Sequence, residues 1–487
     1  MASSRTSTPR QDFDVLDDTR PDDQSLPAFM VSTSRGFLPR MEPIVTLPSD
    51  FDAVESLLTR MPVKTLSGAP GLLATGIFGD AVLHELPDLT EEVEKYKDNL
   101  PLVNALYRDY SFLASAYLLE PCHMRFIKGE GYGLARDVLP VQLAKPIARC
   151  AELCGFKPFM EYAGSYALFN YRLAEPSKGL EYSNLRLIRA FEHGLDPSSS
   201  EAGFVLTHVA MVRHSGPLIS GVMTCLRALA PATPSPDRIK FNAGLQEIFT
   251  AFHQVNTVME SMWAVSKPRS YTSFRTFIFG ITSQSMFPDG VIYEGVDDSA
   301  RQQFRGESGA NDSMIPLMDN FCQISMPNTP LTEILKDFRS YRPGDHRHFL
   351  EWVGEESIDR GVREFALGMN CEAKDKAAAL ESRQLWIKIL NQVRDFRWRH
   401  WCFAREYILK QTQHPTATGG SPIVTWLPNQ LQAVMNDMAD FHDAIGSDAG
   451  SLNSECQDIM ELTHRQRDTL CKEVNKYCAE RGVAGLA

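Results

Sequence analysis

His400 sits in the run DFRWRHWCFAREYIL, Asp395 to Leu409. On a helical period of 3.6 residues, Val393, Phe396, Phe403 and Tyr407 share its face, so the imidazole points inward. A buried imidazole needs its ring nitrogens satisfied. One reading is a core histidine bonded to a nearby carbonyl. The other is a metal ligand. Zinc takes several protein ligands at set spacing, and no H-x-x-x-H or H-x-x-E pattern accompanies His400. A lone interior histidine suits haem iron instead, because the porphyrin supplies four ligands and the sixth position stays open to oxygen. Arg275 lies in an otherwise apolar run, Phe274 to Phe279. A guanidinium there needs an anion, either a protein carboxylate or an acidic ligand. Tyr271 stands four residues before it on the same helix face, and Phe204 and His208 form a second pair at that spacing.

Helices must position these residues. Apolar periodicity broken by Pro and Gly predicts short helices over Asp50–Arg60, Thr90–Asp98, Val103–Leu119, Val141–Gly155, Tyr162–Arg172 and Tyr182–Glu192. DPSSSEAG, Asp196 to Gly203, is a loop and helix-start signal. Longer helices follow at Phe204–Arg213, Leu218–Leu229 and Phe241–Val265. A loop-rich insertion, Thr282 to Ser313, carries Gly290, Gly295, Gly306 and Gly309. From Met369 to His414 the chain has neither proline nor glycine, which predicts one very long helix ended by Pro415. ATGGSP, Ala417 to Pro422, reads as a mobile loop, and Ser454–Arg481 as a helix. Strand signals are few, so the class is all-α.

The chain has 487 residues and is 43% hydrophobic, enough for a sizeable core. Residues 1–26 are polar and read as a disordered tail. The remainder divides into a small N-terminal helical domain (27–197), a large domain (198–430) and a helical C-terminal extension (431–487). The net charge of −12 argues against a nucleic-acid-coating surface. Ten cysteines without C-x-x-C spacing speak against a zinc ribbon and for reduced thiols. No apolar run reaches the ~18 residues of a membrane span, and no leader pattern precedes the first helix. The expected location is cytoplasmic.

Several motifs in order resemble the indoleamine 2,3-dioxygenase family. RDFRWRHWCFAREYI is similar to its proximal helix. SFRTFIFG (Ser273–Gly280) followed by PDGVIYEG (Pro288–Gly295) is similar to R-P-x-(I/L)-x-G then D-G-(L/V)-x-Y-E-G. RGESGANDS (Arg305–Ser313), FRSYRPGDHRHFL (Phe338–Leu350) and ATGGS (Ala417–Ser421) look like G-E-T-G-A-Q-S, M-R-x-Y-M-P-x-x-H-R-x-F-L and G-T-G-G-(T/S). Thr276, Asn311-Asp312 and Arg342 replace the family's usual proline, Gln-Ser and methionine. The resemblance implies an all-α fold, with haem b between the two domains and His400 as its iron ligand. Arg397 and Asp319 would pair near the haem propionates, and Ser308, Tyr162 and Ser165 would line the cofactor side of the pocket. Arg275 would grip the substrate carboxylate, Phe204 and Tyr271 would flank the indole, His208 would sit above the haem, and Thr418 would belong to a lid. The implied reaction is cleavage of the C2–C3 bond of L-tryptophan by O2, giving N-formylkynurenine. It is the first step of the kynurenine pathway toward NAD, with a cellular reductant keeping the iron ferrous. A paralogue acting on another indole in secondary metabolism, or a haem sensor or carrier, is the alternative. An amino-acid-gripping arginine favours the enzyme.

Overall fold

The computed structural model describes residues 12–231, 235–326, 330–369, 371–412, 414 and 416–481. Helices dominate it, with long loops between them and only short strands. The Leu100–Phe126 helix is buried along almost its whole length, mostly by apolar side chains, with buried Arg108 and Asp109 paired to each other. It starts earlier than its periodicity indicates. Asn99 caps it by accepting from Leu102 N at 3.1 Å, and Pro101 occupies the first turn, where a missing N–H costs nothing. The Ser215–Ala228 and Arg238–Glu260 helices cross where Gly221 meets Gly244. A Cβ built on either glycine would lie 2.8 Å from the other's carbonyl oxygen.

Four expectations are corrected. Tyr162–Arg172 and Tyr182–Glu192 are not helices. Tyr162–Tyr166 is a single wide π turn, and Tyr171–Leu173 pairs antiparallel with Leu185–Leu187. Three-residue strands that bury Tyr171, Leu185 and Leu187 are too short for period 2 to declare itself. Within the glycine-rich insertion, Val291–Tyr293 pairs with Val138–Leu139 and Arg301–Gln302.

The third correction concerns the tail. Residues 12–26 lie against the body of the molecule, mostly exposed but anchored at a few points. Leu16 is buried and bonds to Val31 O at 3.0 Å. Phe13 packs on Phe349, with ring centroids 5.2 Å apart. The Arg40 guanidinium donates to the carbonyls of Thr19, Arg20, Asp23, Leu26 and Pro27. The partner that orders this polar segment therefore lies outside it. The rest of the expected tail, residues 1–11, lies outside the described residues.

Fourth, the long helix starts at Lys376 and runs to Phe403. It continues as a π-helical segment, Ala404–Leu409. Pro415, the expected stop, lies outside the described residues. The Ile423–Ile445 helix packs on it and runs unbroken through position 430. The C-terminal helix is Ser454–Arg481, as expected. Among the described residues no helix is long and apolar enough to cross a membrane.

Candidate active site

Two helices present the two facing histidines. The Ser200–Val212 helix begins where DPSSSEAG signals, with Ser199 Oγ accepting from Ala202 N at 3.1 Å. Within the first turn, buried Glu201 accepts from Phe191 N and Glu192 N, which fixes the helix against the preceding chain. Phe204 and His208 then face inward, their rings 4.8 Å apart. His208 Nδ1 is bonded to Phe204 O at 2.9 Å, leaving Nε2 toward the interior. Opposite, the helix of residues 376–403 and its π-helical continuation place Phe396, His400, Phe403, Ala404, Tyr407 and Ile408 on one cavity wall. A wide turn next to a functional residue is a recurrent use of the π-helix. Tyr407 is locked by its hydroxyl, which donates to Ser266 O at 2.6 Å.

Between these walls lies about 1110 Å³ of space that no atom fills, part of it open to solvent. Tyr162, Phe204, His208, Tyr271, Ser308, His400 and Thr418 all line it. A smaller recess adjoins it past Phe396 and His400 and holds Arg397 and Asp319. There Arg397 Nη2 donates to both Asp319 oxygens, at 2.9 and 2.7 Å. Ser308 Oγ accepts from Ala310 N at 3.2 Å. The loop carrying it is seated by the close approach of Gly280 and Gly306, where neither backbone leaves room for a Cβ.

Neither ring nitrogen of His400 has a hydrogen-bond partner among the described residues, and the ring faces the cavity. Burial, then His208, then Arg397 push its pKa down to about 4, so at neutral pH it is an uncharged imidazole with a lone pair to offer. Among the described residues, no group of three or more His, Cys, Asp or Glu could hold a bare metal ion. The cavity walls are otherwise mostly apolar, with Met211, Met259, Met262, Phe396, Phe403 and Leu427 prominent. At the recess, Arg397 Nε and Nη1 are buried without partners. One neutral histidine, apolar walls and orphaned guanidinium donors fit a flat metal-centred macrocycle with acidic side chains.

A family model described as Indoleamine 2,3-dioxygenase matches residues 25–446. The chain belongs to the indoleamine 2,3-dioxygenase family. Indoleamine 2,3-dioxygenase 1 of Mus musculus is 26% identical over 344 residues, covering 69% of this chain and 78% of its own. An indoleamine 2,3-dioxygenase of Aspergillus nanangensis is 23% identical over 442 residues, covering 85% and 98%. The 6-hydroxytryptophan 2,3-dioxygenase of Fusarium equiseti is 25% identical, covering 75% and 82%. Members of the indoleamine 2,3-dioxygenase family are haem-dependent oxidoreductases that act on indoles with O2, and this chain is a dioxygenase of that class, with the family's all-α fold. Residues 447–487 lie beyond the family match.

Two residues expected in the indoleamine 2,3-dioxygenase pocket do not line the cavity. Ser165 is fully buried in the Tyr162–Tyr166 turn. Its Oγ donates to Glu161 O at 2.7 Å and accepts from Glu161 N at 2.9 Å, since a short hydroxyl side chain closes readily on nearby backbone. Arg275 stands behind Tyr271 with its guanidinium over the Phe279 ring. Its Nη2 donates to Thr416 O at 2.9 Å, while Nε and Nη1 are buried and without a partner among the described residues. The expected mobile loop is pinned in this structure. Gly280 N and Arg305 Nη1 donate to the carbonyls of Thr418 and Gly419, and Thr418 Oγ1 donates to Glu307 O at 2.8 Å.

Sequence reasoning did not single out Glu307, Trp426 or the four cavity methionines. Glu307 stood inside a quoted motif. No local pattern marks the others.

Proposed function

We propose that the protein cleaves the indole C2–C3 bond of L-tryptophan, both atoms of O2 ending in N-formylkynurenine, as the entry to the kynurenine route toward NAD. The observation that carries this is a pair of buried groups left wanting a partner, His400 unbonded on the cavity wall and Arg275 half-satisfied beside Tyr271, one suited to haem iron and the other to a carboxylate. Haem b would be held by His400, with Arg397 and Ser308 toward its propionates and Asp319 orienting Arg397, and when bound it supplies oxygen activation; a cellular reductant is needed to keep its iron ferrous.

The chain's own residues bind and orient. Phe204 and Tyr271, with centroids 5.4 Å apart, flank the indole. His208 Nε2 accepts the indole N–H. The substrate carboxylate replaces Thr416 O on Arg275, giving the guanidinium the bidentate partner its fork suits. Because Thr416 adjoins the Ala417–Ser421 loop, carboxylate binding and loop position are coupled, and closure excludes water from the reacting oxygen.

The test is reconstitution with haem, reduction, and addition of L-tryptophan in air. N-formylkynurenine should form. His400→Ala should abolish the Soret band, and Arg275→Ala should raise KM for L-tryptophan at least about tenfold. A Soret band surviving in the His400 variant, or unchanged KM in the Arg275 variant, overturns the corresponding role.

A further inference from the structure

The polar end of the cavity holds more hydrogen-bonding atoms than an unsubstituted indole can use. Tyr162 Oη and Asp312 Oδ2 are buried side by side, with no partner beyond each other among the described residues. Tyr162 is 1% exposed and Asp312 6%. Asp312 Oδ1 is occupied, accepting from Met314 N at 2.8 Å. Glu307, 2% exposed, also lines the cavity, and its carboxylate has no hydrogen bond or ion pair among the described residues. The groups form one cluster. Burial first, then the charges of Asp312 and Glu307, keep the Tyr162 hydroxyl protonated, and Glu307 acts on Tyr271 as well. An indole offers a single N–H donor, for which His208 Nε2 suffices. A phenol and two carboxyl groups remain. Buried polar atoms short of partners are costly, so a cluster of them facing a cavity calls for a ligand.

Two departures from the family motifs meet at this cluster. Asp312 stands where the family has serine, and Arg342 where it has methionine. Arg342 Nη2 donates to Ala310 O at 2.9 Å and its Nε to Asp312 O at 3.3 Å, bracing the loop that carries the extra carboxyl group. Burial pushes Glu307 up to about 8 and Asp312 up to about 6. Near neutral pH the cluster therefore holds both an acid that donates and a carboxylate that accepts, which matches a hydroxyl.

We propose that Tyr162, Glu307 and Asp312 form a subsite for a hydroxyl on the benzo ring of the indole, so that the preferred substrate is a ring-hydroxylated tryptophan. This rests on the dioxygenase reading and adds no step to it. The C2–C3 bond breaks, both oxygen atoms of O2 enter the product, and the hydroxyl is carried through unchanged.

The experiment uses the full-length, haem-loaded, reduced protein with L-tryptophan, 5-hydroxy-L-tryptophan and 6-hydroxy-L-tryptophan. One hydroxylated substrate should exceed L-tryptophan in kcat/KM by about tenfold or more, the scale of discrimination by a buried hydrogen bond. D312S, which restores the family's serine, should bring that ratio to within about threefold, with the Soret band and haem affinity retained, and Y162F should lower the same ratio, its haem loading being measured alongside. Three results overturn the subsite: equal or better use of L-tryptophan by the unaltered protein, an unchanged ratio in both variants, or loss of haem by D312S, which would assign Asp312 to the cofactor. Cleavage of L-tryptophan without a hydroxyl preference defeats the subsite alone. Failure to cleave any of the three defeats the dioxygenase reading with it.

Discussion

Buried polar residues carry most of the information in this protein. Arg397 and Asp319 are held together in the recess beside His400. Burial raises the Asp319 pKa and Arg397 opposes that rise. Removing one partner of such a pair strands the other charge and costs about 3–5 kcal/mol. Asp319→Ala should therefore lower the unfolding free energy by about 3 kcal/mol in urea and weaken haem binding; a loss below about 1 kcal/mol would show that the pair is effectively solvated. His123 offers the opposite case. Both its ring nitrogens are buried without partners among the described residues, against the Phe277 ring at 4.8 Å. Burial lowers its pKa from 6.5 to about 4, so the fold prefers the neutral ring. Its contribution is present above pH 6.5 and is lost as pH falls from 6.5 through about 4. His123→Phe should keep or raise the unfolding free energy at neutral pH, by up to about 1 kcal/mol, and make the acid limb shallower across that window. Thermal melts at several pH values decide it, and a steeper acid limb would refute the burial argument.

At the scale of elements, the helix bearing His400 is supported from behind by the Ser454–Arg481 helix, which lies beyond the family match. Glu473 accepts from Trp401 Nε1 at 2.7 Å and from Arg405 Nη1 at 2.6 Å. Lys388 pairs with Glu455 at 2.5 Å. Trp401 is fully buried and directly follows His400. Glu473→Ala removes a charged acceptor from a buried indole N–H, which should destabilise by about 2 kcal/mol. Equilibrium unfolding measures this directly, and a change within about 0.5 kcal/mol would mean that the two helices are not coupled through Glu473. The sequence shows the C-terminal helix clearly but cannot say what it touches. Periodicity reveals which face is apolar, and only packing reveals the partner.

For the molecule as a whole, the segment of residues 12–26 joins the start of the chain to distant helices. Phe13 rests on Phe349 and Trp352, and Arg40 needs the segment's carbonyls as acceptors. Deleting residues 1–26 should lower Tm by several degrees, because a buried guanidinium loses acceptors and aromatic surface becomes exposed. An unaltered melt would restore the picture of a free tail. Composition pointed to disorder there because the residues that order the segment come from elsewhere in the chain.

The sequence by itself determined the all-α class, the inward face of His400, the helix-start signal ahead of Phe204 and the order of the family motifs. Each is a local property, written in periodicity, capping and spacing. Only the tertiary structure decided that Ser165 closes on its own backbone, that Arg275 lies behind Tyr271 against the loop at Thr416, and that Glu307, Tyr162 and Asp312 converge on one cavity. The state of a buried polar atom depends on groups that come from far along the chain, and no local pattern records which of them will meet.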